Sequence, residues 1–146
     1  MAYYLFNLAD GDRAEAAARL AAKMWGVGED EVHGDDLAPG DVVLIYVAGL
    51  TGTLIGRAEL ASPVHEWTPS EADASPARST RGVLLTHVEE WDPAVPMTEV
   101  VRRIDPTGSN PLVQKNAAFG FPMGVVRITE HEYDSALAVS RERQRA

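Results

Sequence analysis

Residues 41–47, Asp-Val-Val-Leu-Ile-Tyr-Val, are a nearly unbroken apolar run entered through Pro39-Gly40. A short run of this kind, bounded by turn residues, reads as a strand buried on both faces, and such a strand needs cover on each side. Pro39-Gly40 reads as the centre of a type II turn, where proline presets the first φ and glycine accepts the positive second one. Gly49 to Thr53 then turns the chain back into residues 54–60, Leu-Ile-Gly-Arg-Ala-Glu-Leu. The middle of the sequence is therefore a β-hairpin.

The flanks extend this hairpin into a mixed sheet. Residues 3–8 are an aromatic and aliphatic run suited to a strand. Asp12 with Glu15 has the capping-box spacing, and Ala14, Ala17, Leu20, Ala21 and Met24 recur at helical spacing. A helix over 13–24 follows, ended by Trp25-Gly26-Val27-Gly28. Residues 62–82 are rich in Pro, Ser and Ala and read as a long loop. Residues 83–91 resume strand character, 97–104 suit a short helix, and 125–128 give a last strand. Thr129-Glu130-His131-Glu132 is a second capping box opening a final helix, with 141–146 as a polar tail. The expected fold class is α+β: a mixed barrel of about five to six strands with flanking helices.

Size and composition bound the function. The chain has 146 residues, 45% hydrophobic and 24% charged, the profile of one globular domain. The absence of cysteine excludes a disulfide framework, a zinc ribbon and a thiol nucleophile. MAYYLFNLAD lacks the features of a signal peptide, and no apolar run nears the ~20 residues that span a bilayer. The expectation is a soluble, cytoplasmic protein with no membrane partner. The formal charge of −9 repels polyanions in general. The acid is concentrated, however: residues 29–41 hold six carboxylates and no base. A local basic site elsewhere is compatible with that balance.

Catalytic motifs are missing. The glycines at 49, 52 and 56 lack the Lys-Ser/Thr of a phosphate loop and precede a strand, not a helix. G-x-S-x-G does not occur, and His131-Glu132 does not extend to H-E-x-x-H. His33, His65 and His87 lack ligand spacing, so neither a metal nor another cofactor is expected.

A family resemblance rests on residue order. Trp25-Gly26-Val27 follows the first helix, and Leu37-Ala38-Pro39-Gly40-Asp41 leads into 42–47. The glycine-bearing return strand is Leu54-Ile55-Gly56-Arg57-Ala58. Phe119-Gly120-Phe121 precedes Val125-Val126-Arg127-Ile128-Thr129 and the terminal helix. Over residues 1–140 the chain resembles the EVE domain of the PUA-like superfamily, a relative of YTH domains, and looks most like the short proteins of the UPF0310 group. The resemblance implies a non-enzymatic reader that takes a flipped, modified nucleobase into an aromatic pocket. Modified DNA is favoured over modified RNA, in prokaryotic defence, with a partner nuclease or other defence protein and a monomeric or weakly dimeric state.

The residues nominated for that pocket are Trp25 and Gly26, Tyr46, Gly56 and Ala58, Asn116, Phe119 and Phe121. Trp25 is the first choice for a wall, presented on a loop among glycines. Phe119 and Phe121 are candidates for the opposing side, and Asn116 for reading a base edge. Small Gly56 and Ala58, read as sharing a strand face with Leu54 and Leu60, leave room inside. Arg57, Arg78, Arg81 and Lys115 are the candidate phosphate rim. The alternatives are a small hydrolase or nucleotide-processing enzyme using the same pocket, and a protein-interaction module whose acidic segment docks a basic partner.

Overall fold

The computed structural model describes residues 1–8, 13–27, 36–47, 52–75, 80–104 and 125–145. The chain runs β1 (Tyr3–Leu8), α1 (Arg13–Ala22), β2 (Met24–Gly26), β3 (Val42–Val47), β4 (Thr53–Leu60), β5 (His65–Glu66), α2 (Pro69–Ala74), β6 (Arg81–Pro96), α3 (Met97–Ile104), β7 (Val125–Ile128) and α4 (Glu130–Arg145). Six strands form a curled sheet in the order β2-β6-β4-β3-β1-β7, and the two-residue β5 pairs with β6. Among the described strands only the β1–β3 pair is parallel, in register from Tyr3 with Val42 to Leu8 with Val47. The predicted mixed sheet with flanking helices is what forms.

Turn chemistry sets the entry to β3. Gly40 takes a φ of +91°, and the Asp41 amide donates to the Ala38 carbonyl at 3.1 Å, closing the predicted turn. The buried Asp41 carboxylate accepts from the backbone amides of Ala2 at 2.9 Å and Ala38 at 3.1 Å. One side chain thus holds the turn closed and fixes the start of β1 beside β3.

Both faces of the sheet are buried, as the apolar β3 run requires. One apolar cluster holds Phe6, Leu20, Trp25, Val43, Ile45, Ile55, Ala58, Val83 and Leu85. The other holds Leu5, Leu44, Leu54, Trp91, Val100, Tyr133 and Val139, under α3 and α4. Strand pleat assigns alternate β3 residues to the two clusters.

Four local expectations need correction. The first helix stops at Ala22, not Met24: Lys23 adopts a φ of +58°, and Met24 and Trp25 pair with Leu84 and Val83 instead. The predicted loop 62–82 contains β5 and α2. Thr68 caps α2, accepting from the Glu71 amide while Glu71 accepts from the Thr68 amide, with Pro69 in the first turn. Leu54 does not share a face with Ala58 and Leu60. The β3–β4 register slips between Ile45 and Tyr46, so that Ile55 is an extra residue on β4 that reverses the alternation. Finally, residues 141–145 are the last turn of α4, held by Arg143–Glu99 at 2.7 Å and Arg103–Glu142 at 2.6 Å. The second capping box is present as read, with reciprocal Thr129 and Glu132 bonds of 2.8 and 3.1 Å.

Candidate nucleic-acid interface

Trp25 lies on β2, not on a loop, and is only 2% exposed. Strand pairing is what draws it inward, since Met24–Gly26 bonds to β6 and aims the indole at the core. Phe6 packs at 5.8 Å between ring centroids with a 31° tilt. The Arg19 guanidinium sits 4.7 Å from the indole centroid, a cation on the negative face of the ring. Arg19 reaches that position from α1 and is tied to Glu15 by a 3.0 Å ion pair. Ala58 belongs to the same buried cluster as Trp25.

The β2–β6–β5 junction brings a second set of groups beside Trp25. Gly82 of β6 pairs with Gly26 on one side and His65 on the other. A Cβ at Gly82 would collide with the Trp25 carbonyl oxygen and lie 2.6 Å from the Trp67 ring, so only glycine permits this convergence. The Trp67 indole Nε1 is buried with no hydrogen-bond partner among the described residues. His65 meets the Trp67 ring edge-on at 5.5 Å. Its Nδ1 lies 3.0 Å from the Pro63 carbonyl and its Nε2 lies 3.0 Å from Glu71. Two acceptors around one imidazole favour its protonated form. The Pro63 carbonyl and then Glu71 raise the His65 pKa, against an opposing effect of burial. Glu71 is held below the usual carboxylate range, first by the Thr68 amide and then by His65. Arg81 follows in the same ladder, its carbonyl accepting from Val27 at 3.1 Å. Trp25, Gly26 and Arg81 are thus neighbours in one ladder.

Tyr46 and Arg57 lie elsewhere. Tyr46 packs against the α3–α4 cluster, on the opposite face from Trp25, so it cannot wall the same pocket. Its hydroxyl rests where a Cβ of Gly52 would be, and burial raises its pKa. Gly56 is a packing glycine: a Cβ there would collide with the Glu89 carbonyl oxygen of β6. The Arg57 guanidinium is committed on the outer face. Nε donates to the Tyr133 hydroxyl at 2.5 Å, and Glu59 and Glu89 stand at 4.0 and 3.8 Å. Two carboxylates already neutralise it, which makes it a poor phosphate ligand. Burial raises the Tyr133 pKa, with Arg57 acting in the opposite sense. His87, at a φ of +49°, adds a 3.0 Å bond to Glu59. Arg78, Lys115, Asn116, Phe119 and Phe121, together with residues 29–35 of the acidic segment, lie outside the described residues. Among the described residues no group of three His, Asp or Glu is placed to hold a metal ion.

Several partners of this site escaped the sequence reading. The Thr68-Pro69-Ser70-Glu71 capping box was a legible signal, masked by the surrounding Pro and Ser. Arg19 over Trp25 had no such signal, because it depends on how α1 crosses β2.

No family model matches the sequence, and no curated protein matches it. Solved structures do. A hypothetical protein from Leishmania major superposes with a TM-score of 0.67 at 16% identity, covering 99% of this chain and 97% of that one. Human THYN1, solved in complex with DNA containing 5-methylcytosine, gives a TM-score of 0.66 at 11% identity, covering 96% and 98%. The fold is PUA-like. ASCH from Zymomonas mobilis has it too, with a TM-score of 0.60 at 11% identity over 94% and 95% of the chains. At these identities the likeness is one of fold. In this PUA-like sheet the β2–β6 end carries Trp25, and the α3–α4 side carries the Arg57 network.

Proposed function

We propose that this chain binds nucleic acid and reads a modified nucleobase against Trp25, without catalysing a reaction. The observation that carries the reading is the shared fold with THYN1, whose structure contains 5-methylcytosine DNA. The EVE-like order of Trp25-Gly26-Val27 and the Pro39-Gly40-Asp41 entry supports the same class. A setting in prokaryotic defence beside a nuclease belongs to this EVE-like reading.

The local chemistry has a specific form. Arg19 covers the indole with its guanidinium carbon 4.7 Å from the ring centroid, on the face where an aromatic base would pack. An incoming base displaces the guanidinium and gains ~1–3 kcal/mol of stacking, while Arg19 becomes free to meet a phosphate. Isothermal titration of 5-methyl-2′-deoxycytidine against 2′-deoxycytidine tests this. The methylated nucleoside should bind about fourfold tighter, the worth of one buried methyl-sized group at ~0.8 kcal/mol. Arg19→Ala should tighten both nucleosides. Equal affinities, together with no effect of Arg19→Ala, would remove the reading.

A hydrolase is the rival reading, favoured by the polar group Arg57, Glu59, His87, Glu89 and Tyr133. Cleavage of an RNA oligonucleotide that is abolished by Glu89→Gln would support it over a pure reader.

A further inference from the structure

Among the described residues, the clearest excess of positive charge lies on two helices, not on the strands that carry Arg57 and Arg81. The C-terminal turns of α3 and α4 carry Arg102, Arg103, Arg141, Arg143 and Arg145. Helix ends attract cations through the dipole, which accounts for a basic residue or two at each. Among the described residues here, five arginines stand against two acids, Glu99 and Glu142, in a chain whose net charge is −9. The acids are used up: Arg143 pairs with Glu99 at 2.7 Å and Arg103 with Glu142 at 2.6 Å. The Glu142 carboxyl is held low by Arg103 first and then Arg145, and Arg103 is raised in turn. Arg102, Arg141 and Arg145 are exposed and make no hydrogen bond or ion pair with the described residues.

The same two helices frame an open cleft of about 410 Å³, lined by Glu99, Arg102, Arg103, Val139 and Glu142. Its lining is mixed polar and apolar, but the apolar area is small in absolute terms, so a helical peptide would find little to bury there. Guanidiniums fixed by carboxylates at a cleft rim, with unpaired ones beside them, suit a chain of anions. A surplus of three charges on an otherwise acidic molecule also orients such a ligand before contact.

We infer that the α3–α4 arginine pole is a docking surface for the phosphate backbone of a nucleic acid. This rests on the nucleic-acid reading above and adds to it where the backbone runs. Phosphate contacts position a nucleic acid without reporting its sequence, whereas base contacts specify. The pole and the Trp25 site therefore have separable signatures.

The probe is a fluorescein-labelled single-stranded DNA 20-mer, with and without 5-methylcytosine, titrated by anisotropy at several KCl concentrations. Arg102→Gln/Arg141→Gln/Arg145→Gln should keep the wild-type melting temperature, since none of the three makes a hydrogen bond or ion pair with a described residue. With about 0.7 counterions released per phosphate contact on single strands, three lost contacts make the salt slope shallower by about two. Between about 50 and 200 mM KCl the wild type should then lose roughly 20-fold more affinity than the variant. Both oligonucleotides should respond alike. Arg13→Gln/Lys23→Gln, at the ends of α1, is the control for general charge and should shift the slope little. An unchanged slope in the triple variant, an equal shift in the control, or no salt-dependent binding by the wild type would each overturn the inference. A preference for 5-methylcytosine that survives alongside an unchanged slope would leave the reader standing without the pole. A lost slope with no such preference would leave the pole standing without the reader.

Discussion

Asp41 shows how much one side chain can organise. Its two oxygens accept from Ala2 and Ala38, so one carboxylate ties the start of β1 to the turn that feeds β3. Bonds to a charged acceptor are worth ~1.5–3 kcal/mol each, and their loss leaves part-buried amides unpaired. Asp41→Ala should lower stability by ~2–4 kcal/mol in urea titration, with an unchanged m-value. Trp25→Ala should cost ~3–5 kcal/mol, the range for an emptied aromatic site in a core. A melting temperature within a degree or two of wild type would place the indole outside the core. These two residues also divide what sequence can tell. The Pro39-Gly40-Asp41 turn was legible because its chemistry is contained in adjacent residues. The burial of Trp25 was not, because β2 is three residues long and exists only by pairing with Val83 and its neighbours on β6.

At the scale of elements, β5 and α2 are joined by a titratable link. His65 gains its raised pKa from the Pro63 carbonyl and Glu71, so its contribution is complete below the ordinary value of 6.5 and fades as pH climbs through the folded value above it. Glu71 has a lowered pKa, so its contribution is complete above the ordinary value of 4.5 and fades as pH falls through the folded value below that. The segment is therefore held most tightly between about pH 4.5 and 6.5. Hydrogen exchange at the amides of residues 65–74 should be slowest in that window, and Glu71→Gln should flatten the dependence. Exchange that is indifferent to pH, after correction for intrinsic rates, would show the link to be idle. Elements with periodic or capping signals, such as α3 and α4, were readable. The slip that puts Leu54 on the far face from Ala58 was not, since an extra residue at Ile55 is decided by the partner strands. Tyr46 parts from Trp25 because it obeys the pleat of β3.

For the whole molecule, the mixed sheet and its covered faces followed from one apolar run, while the distribution of charge did not. Helical termini that lie far apart in sequence had to meet before the arginine pole could exist. The position of β1 has a further consequence. It lies between parallel β3 and antiparallel β7, with Tyr3 paired to Val42 on one side and to Ile128 on the other. During synthesis, Tyr3–Leu8 leaves the ribosome long before Val125–Ile128. In the interval β1 offers an unpaired edge, and Leu5 and Leu44 lack the cover of α4. A chain ended after Ile104 freezes that interval, and it should elute as higher oligomers or need a holdase to stay in solution. A monodisperse monomer would mean that the edge is harmless. The nascent protein must wait for its most distal strand before its most proximal one is safe from its neighbours on the same polysome.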